Sequence, residues 1–224
     1  MNPRSMPTLL ITAGPTHEPI DAVRFVGNRS SGRMGIALAT TAAARGWNTT
    51  LLLGPVPNPP TADAPFTMER FRTCEDLRTL LATHVAHADV LVMAAAVADY
   101  RPKIDPAMVN AKFRRVNQPL NIELEPTPDL LASVASSRRP NQYMVGFALE
   151  PRAEVETSSR AKLERKKVDM VVGNPLETMD SPMIEATIFL QDGSTRSPGR
   201  ALPKSEFAAW LLDQIELQTR RPHH

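Results

Sequence analysis

One cysteine, Cys74, stands in 224 residues. An intrachain disulfide framework and a thiolate zinc cage are therefore excluded, and the chain suits a reducing compartment. The five histidines contain no pair at H-x-x-x-H spacing, so the helix-borne zinc signature is missing as well. No apolar run reaches the roughly 20 residues that span a bilayer. The opening "MNPRSMPTLLITAG" lacks the charged-then-apolar layout and cleavage site of a signal peptide, which predicts a cytoplasmic protein with no membrane partner. An excess of one charge is also absent. With 26 basic and 24 acidic residues the formal net charge is +2, too balanced for a dedicated nucleic-acid binder despite a pI near 8.9. The G-x-G-x-x-G fingerprint does not occur, which disfavours a nicotinamide- or flavin-binding oxidoreductase. Neither internal repeats nor low-complexity tracts interrupt the chain.

What the chain does hold is a regular alternation. Three short apolar runs predict buried strands: "TLLITAG" (8–14), "TTLLLGP" (49–55) and "VLVMAAAV" (90–97). Between them, "GIALATTAAARG" (35–46) and "CEDLRTLLATHVAHA" (74–88) space their apolar residues as helices do. Two more strands, "YMVGFAL" (143–149) and "VDMVVGN" (168–174), flank the polar helical segment "AEVETSSRAKLERKK" (153–167). This order predicts a single α/β domain over 1–224: a Rossmann-like parallel sheet with helices on both faces, its ligands beyond the carboxyl ends of the strands. Gly14, Gly54, residues 95–99, Phe147 and Asn174 fall at such ends. Residues 101–127 break the pattern with four prolines, a basic cluster and an alternating "LNIELE", and predict a β-arm or flap. Towards the end, "SPMIEATIFLQDGSTRS" (181–197) predicts a hairpin around Asp192 and Gly193, and "KSEFAAWLLDQIEL" (204–217) a last amphipathic helix, with "TRRPHH" (219–224) frayed.

The stretch "ITAGPTHEPIDAVRFVGNRSSGRMG" (11–35) opens like a nucleotide-binding loop, then inserts a polar detour before its helix. It offers two anion-friendly turns, Gly14 at a strand end and Ser30, Ser31 and Gly32 before a helix, enough for two parts of one ligand. Gly14 also reads as an ordinary tight turn. Asn28 presents a donor and an acceptor to a carbonyl or acyl phosphate, or else caps the local backbone. Lys112, Phe113, Arg114 and Arg115 form either a phosphate clamp or a solvated face. Lys162 and Lys166, four apart on one helical face, either aim two cations at phosphates or solubilise the helix. Asp99 ends a run of small residues in "AAAVADYRP" (94–102) that admits a flat ring or a ribose. Its carboxylate suits Mg²⁺ through water, and equally a turn.

The blocks "ITAGPTHEPIDAVRFVGNRSSGRMGIALA", "AAAVADYRP", "TPDLL", "VGFALE" and "AKLERKKVDMVVGN" resemble, in order and spacing, those of phosphopantothenoylcysteine synthetase, over about residues 8–190. Bacterial members are often fused behind a flavin-dependent decarboxylase, and the resemblance is to the synthetase half alone. It implies a Rossmann-like homodimer that activates the carboxylate of 4′-phosphopantothenate with CTP, or with ATP in eukaryotic members, using Mg²⁺. Pyrophosphate leaves, cysteine then displaces the nucleotide, and the products are 4′-phosphopantothenoylcysteine and CMP. By motif, the resemblance places the acyl-nucleotidylate on Asn28 and the arm lysine on Lys112. It assigns the nucleotide to Met93, Ala94, Ala95, Asp99, Pro128, Asp129, Leu130, Leu131, Phe147, Lys162 and Lys166. Gly14, Asn28, Ser30, Ser31 and Gly32 are left for the phosphorylated substrate, and Asp99 for the metal. The "AAAVADY" and "TPDLL" segments resemble the bacterial type, so CTP is expected. A separate decarboxylase is a further implied partner, and "LNIELE" is expected to pair across a two-fold interface. Two departures stand out: Arg114 and Arg115 replace lysines in the arm motif, and Ile184 sits near the place of an asparagine. A non-catalytic nucleotide-binding module is the competing class, against which the retained Asn28 and Lys112 speak.

Overall fold

A computed structural model describes residues 6–105, 111–114 and 117–220. In chain order its strands are β1 (Thr8–Ala13), β2 (His17–Pro19), β3 (Phe25–Gly27), β4 (Asn48–Leu53), β5 (Thr67–Arg70), β6 (Val90–Met93), β7 (Tyr100–Pro102), β8 (Leu124–Pro126), β9 (Tyr143–Glu150), β10 (Met170–Pro175), β11 (Met183–Ile184), β12 (Thr187–Leu190), β13 (Thr195–Arg196) and β14 (Leu202–Pro203). The helices are α1 (Arg33–Ala44), α2 (Cys74–His84), α3 (Leu130–Ser136), α4 (Val155–Lys166) and α5 (Lys204–Thr219).

Eight strands share one sheet in the order β13-β12-β10-β9-β6-β1-β4-β5, parallel from β5 to β10 and antiparallel at β12 and β13. Its central strands are apolar throughout because both faces are covered. The period of two then sorts the side chains. Leu9 and Ile11 of β1, Leu51 and Leu53 of β4, and Val90 and Val92 of β6 face α1 and α5. Leu10, Leu52, Leu91 and Met93 point the other way, against Leu77 and Leu81 of α2 and Leu130 of α3. Burying each such leucine is worth roughly 1.5–3 kcal/mol, so the two cores fix the strand register. Helix α2 begins where its sequence says it should. Thr73 accepts from the Asp76 amide at 3.1 Å while the Asp76 carboxylate accepts from the Thr73 amide at 2.9 Å, a reciprocal cap.

The strand order reverses between β1 and β6, and a crevice opens there beyond their carboxyl ends. Threonines stitch its floor: Thr12 Oγ1 accepts from the Ala95 amide at 3.2 Å, and Thr16 Oγ1 from the Ala98 amide at 3.0 Å.

The α/β Rossmann-like architecture holds, with several corrections in detail. The run at 90–97 leaves the ladder after Met93 and continues as a connection bonded to residues 12–16. The helix expected to Ala88 ends at His84 and tightens into a 3-10 turn, Val85–His87. Strand β5 had no apolar run to announce it. The hairpin around Gly193 forms as β12 and β13. The arm's "LNIELE" becomes a strand only at Leu124–Pro126, and it pairs with Tyr100–Pro102 of the same chain. The partner strand expected from a second copy is thus supplied internally on that edge. Arg115 and residues 221–224 lie outside the described residues. Among the described residues no helix is long and apolar enough to cross a membrane.

Candidate active site

Two cavities adjoin in the crevice. One, of about 390 Å³, is lined by Met93, Ala95, Asp99, Pro128, Asp129, Leu130, Leu131, Phe147, Lys162 and Lys166, together with Val97, Thr127 and Arg165. The other, of about 630 Å³, is lined by Asn28, Ser30, Ser31, Gly32 and Ala94 among others, and the two share Ala95, Val97, Asp99, Phe147 and Lys162. Almost every expected nucleotide residue falls in the first cavity, and the expected substrate loop in the second. Lys112 and Gly14 line neither.

Gly14 is explained by the turn. Its φ is +80°, and a Cβ there would lie 3.0 Å from Val56 Cγ1 and 3.2 Å from the Gly54 backbone nitrogen. The glycine thus answers to protein packing and a left-handed backbone rather than to a ligand. Asn28 departs from its local-cap reading: its Nδ2 donates to the Val97 carbonyl at 2.9 Å, tying the early loop to the segment after β6. Helix α1 is capped instead by Gly32 at φ 69°, with no side-chain cap and no acidic residue in its first turn. The helix start opens on the larger cavity, where Gly32, Arg33, Met34 and Gly35 form part of the wall.

Both helical lysines reach the smaller cavity, but each has a partner. Lys162 Nζ donates to the Phe147 carbonyl; burial lowers its pKa, against the pull of Glu150. Lys166 pairs with Asp129, and its side chain is only 10% exposed, so burial lowers its pKa too. Asp129 also caps α3, accepting from the Ala132 amide at 3.1 Å. One carboxylate therefore fixes both the helix start and the lysine. Cys74 takes no part: burial first, then Glu18, push its thiol up to about 11.

Lys112 sits elsewhere. The Ala22 amide donates to the Ala111 carbonyl at 3.0 Å, the Phe113 amide to Asp21 Oδ2 at 3.1 Å, and Arg24 Nη2 to the Phe113 carbonyl at 2.7 Å. This segment is moored on the turn between β2 and β3, with Lys112 exposed. Asp99 is exposed and lines both cavities. Among the described residues no group of three or more His, Cys, Asp or Glu is placed to hold a metal.

Several wall residues escaped the sequence reading: Arg29, Arg33, Met179, Asp180 and Lys204 in the larger cavity, and Arg165 in the smaller. The two arginines flank the quoted Ser-Ser-Gly turn, so proximity was their signal. Lys204 comes from the far end of the chain and gave none. Ile184 does line the cavity, yet it is 2% exposed and packs into the core, so it offers only apolar surface.

Residues 5–218 match the family described as the DNA/pantothenate metabolism flavoprotein C-terminal domain. The chain is 42% identical over 219 residues to a coenzyme A biosynthesis bifunctional protein CoaBC of Mycobacterium bovis, covering 92% of this chain and 51% of that protein. It is 36% identical over 215 residues to the CoaBC of Escherichia coli K12, again over 92% and 51%. The chain thus spans about half the length of these relatives. The crystal structure of a CoaBC C-terminal domain superposes with a TM-score of 0.78 at 34% identity, covering 95% of each chain. With nearly its whole length matched and the same sheet beneath the same crevice, this chain belongs to the DNA/pantothenate metabolism flavoprotein C-terminal domain family.

Proposed function

We propose that the chain is a phosphopantothenate–cysteine ligase of coenzyme A biosynthesis that uses CTP. The observation that carries this reading is the pair of adjoining cavities meeting at Asp99, Phe147 and Lys162, with Asn28 on the wall of the larger. A nucleotide in the smaller cavity and an acid in the larger would meet at that junction. The substrate carboxylate attacks the α-phosphate there, the bond to pyrophosphate breaks, and an acyl-cytidylate remains. The cysteine amine then attacks the acyl carbon, and CMP leaves with the electron pair of the acyl–oxygen bond. The relatives named for coenzyme A biosynthesis support the same reading.

Both steps move negative charge onto phosphate oxygens, so fixed positive groups matter most. Lys162 and Lys166 are held in the cavity wall by the Phe147 carbonyl and Asp129, and a phosphate would compete for their protons. The Asn28 amide can accept or donate beside the acyl group once it is oriented from Val97. Mg²⁺ would be held by Asp99 together with the triphosphate, a donor set of one carboxylate and phosphates that suits this ion, and it would neutralise charge. A pyrimidine fits a wall built from Leu130, Leu131 and the backbone after Met93; an ATP-using version is the alternative.

A homodimer completes the proposal. Lys112 lies outside its own cleft, beside an apolar surface of Val23 (59% exposed), Phe25 (45%), Tyr100 (55%) and Leu124 (45%). Packing of two such faces would carry Lys112 toward the cleft of the second copy. A separate decarboxylase would consume the product, as the length of the relatives suggests. The test is incubation with 4′-phosphopantothenate, cysteine, Mg²⁺ and each nucleoside triphosphate in turn. Release of CMP and pyrophosphate with CTP is expected. Faster turnover with ATP would replace the nucleotide assignment, and no pyrophosphate with any nucleotide would end the ligase reading.

A further inference from the structure

The end of the larger cavity remote from the nucleotide pocket carries four charged groups to which no role has been given: Arg29, Arg33, Lys204 and Asp180. Arg29 Nη2 meets Asp180 Oδ2 at 2.5 Å, and Arg33 Nη1 donates to the Asp180 carbonyl at 3.2 Å. Lys204 is half-buried, and its ammonium meets no hydrogen-bonding partner among the described residues. Burial, then the neighbouring Arg33, weaken its hold on a proton, and Asp180 only partly compensates. It is also the first residue of α5, where the helix dipole disfavours a cation. The fold thus holds a lysine against burial, a like charge and a dipole at once. Such a placement is costly unless an anion arrives to offset it.

We propose that Lys204, flanked by Arg33 and Arg29, anchors a phosphate monoester: the phosphate at the non-reacting end of the acid substrate. This rests on the ligase reading above. A phosphate monoester carries about −1.5 to −2 charges at pH 7. Three cations against one carboxylate leave a matching surplus, and arginine forks beside a lysine point charge suit the oxygens of such a group. The same cavity wall runs from Asn28 and Asp99 to Lys204, so one extended ligand can present its carboxylate at the junction and its phosphate here. The anchor also separates a phosphorylated acid from its unphosphorylated parent, which would leave these cations unpaired.

The full chain is titrated calorimetrically with 4′-phosphopantothenate and with pantothenate, as wild type, Lys204→Gln and Lys204→Arg, with CTP binding and thermal unfolding as controls. The wild-type protein is expected to favour the phosphorylated compound by at least about tenfold, and Lys204→Gln to lose most of that ratio while Lys204→Arg keeps it. In turnover, Lys204→Gln is expected to raise the KM for 4′-phosphopantothenate by about 10- to 100-fold with a much smaller change in kcat. Thermal unfolding should hold or rise, because a cation leaves a helix start. An unchanged ratio, an equal loss for both compounds, or a rise confined to the KM for cysteine overturns the anchor. If the wild-type protein releases no pyrophosphate, the ligase reading fails, and the paired titrations still decide the anchor.

Discussion

Leu91 of β6 and Tyr100 of β7 lie close in sequence, yet the first is fully buried and the second is 55% exposed. The sheet region holds its residues by apolar contact on two faces, from Leu9 and Leu10 out to Val171 and Val172. The arm and the hairpin it rests on are held mainly by polar bonds that converge on Asp21. The contrast assigns different tasks. Cavity walls that must keep fractions of an ångström are built where the sheet ends, at Met93, Phe147 and Asn28's tether to Val97. The element that brings Lys112 is attached by bonds that can be exchanged. Losing a sheet contact should therefore cost the fold, and losing an arm contact should cost function alone.

The strongest break is in the sheet. Leu91→Ala removes a fully buried side chain between α2 and β6 and should destabilise the protein by about 2–5 kcal/mol in urea unfolding. Nucleotide binding should fail along the same transition. A midpoint equal to that of the wild type would mean that the second core does not set the walls.

Asn28→Asp tests the wall without the core. The carboxylate cannot donate to the Val97 carbonyl and repels the phosphate of an acyl-nucleotidylate. Activity should fall by about 10²–10³, the size of a lost oriented donor, with the cysteine step hit harder than activation. Quenched reactions should then show acyl-cytidylate accumulating on the enzyme. Equal losses in both half-reactions would reduce Asn28 to a tether.

These two regions were not equally legible in the sequence. Buried parallel strands must be apolar on both faces, so runs such as 8–14 and 90–97 declared themselves, and the crevice beyond them followed. Strand β5 pairs only with β4 and lies at the sheet edge, so its "TMER" needs no such run. The pairing of Lys166 with Asp129 joins two helices far apart in the chain, and no periodicity encodes it. Arg29, Arg33 and Lys204 became a cluster only when β10, α1 and α5 met around one cavity. The arm misled for a simpler reason: alternation shows that a strand wants a neighbour, not which neighbour it will find, and here Tyr100–Pro102 was at hand.

Lys112→Gln sharpens the arm's side of the contrast. Pyrophosphate release in a single turnover should slow by about 30- to 1,000-fold, and less if Arg114 substitutes, while thermal unfolding stays at the wild-type value. If the lysine serves a second copy, mixing Lys112→Gln with Asn28→Asp should restore about a quarter of wild-type activity, because random pairing leaves one intact site in half of the dimers. No recovery on mixing, with heterodimers shown to form, would return Lys112 to its own cleft.

The smallest expected effect concerns the mooring itself. Asp21 has a fully buried side chain and accepts from the amides of Val23 at 2.8 Å, Arg24 at 2.7 Å and Phe113 at 3.1 Å, and from Arg24 Nε at 3.0 Å. Burial alone would raise its pKa, but these donors outweigh burial and bring it down to about 2 from 3.8. A carboxyl whose folded pKa is depressed gives stability that is fully present above its unfolded value. That stability is lost as pH falls through the folded one, so the window here runs from about 4 down to about 2. Asp21→Ala should remove this part of the acid dependence while leaving the neutral-pH unfolding of the sheet nearly unchanged. Hydrogen exchange supplies the local readout: the Phe113 and Arg24 amides should lose protection in the variant, and the Val92 amide, inside the ladder between β1 and β9, should keep it. Loss of protection at Val92 as well would show that the arm and the sheet unfold as one unit, and the division of labour between them would have to be abandoned.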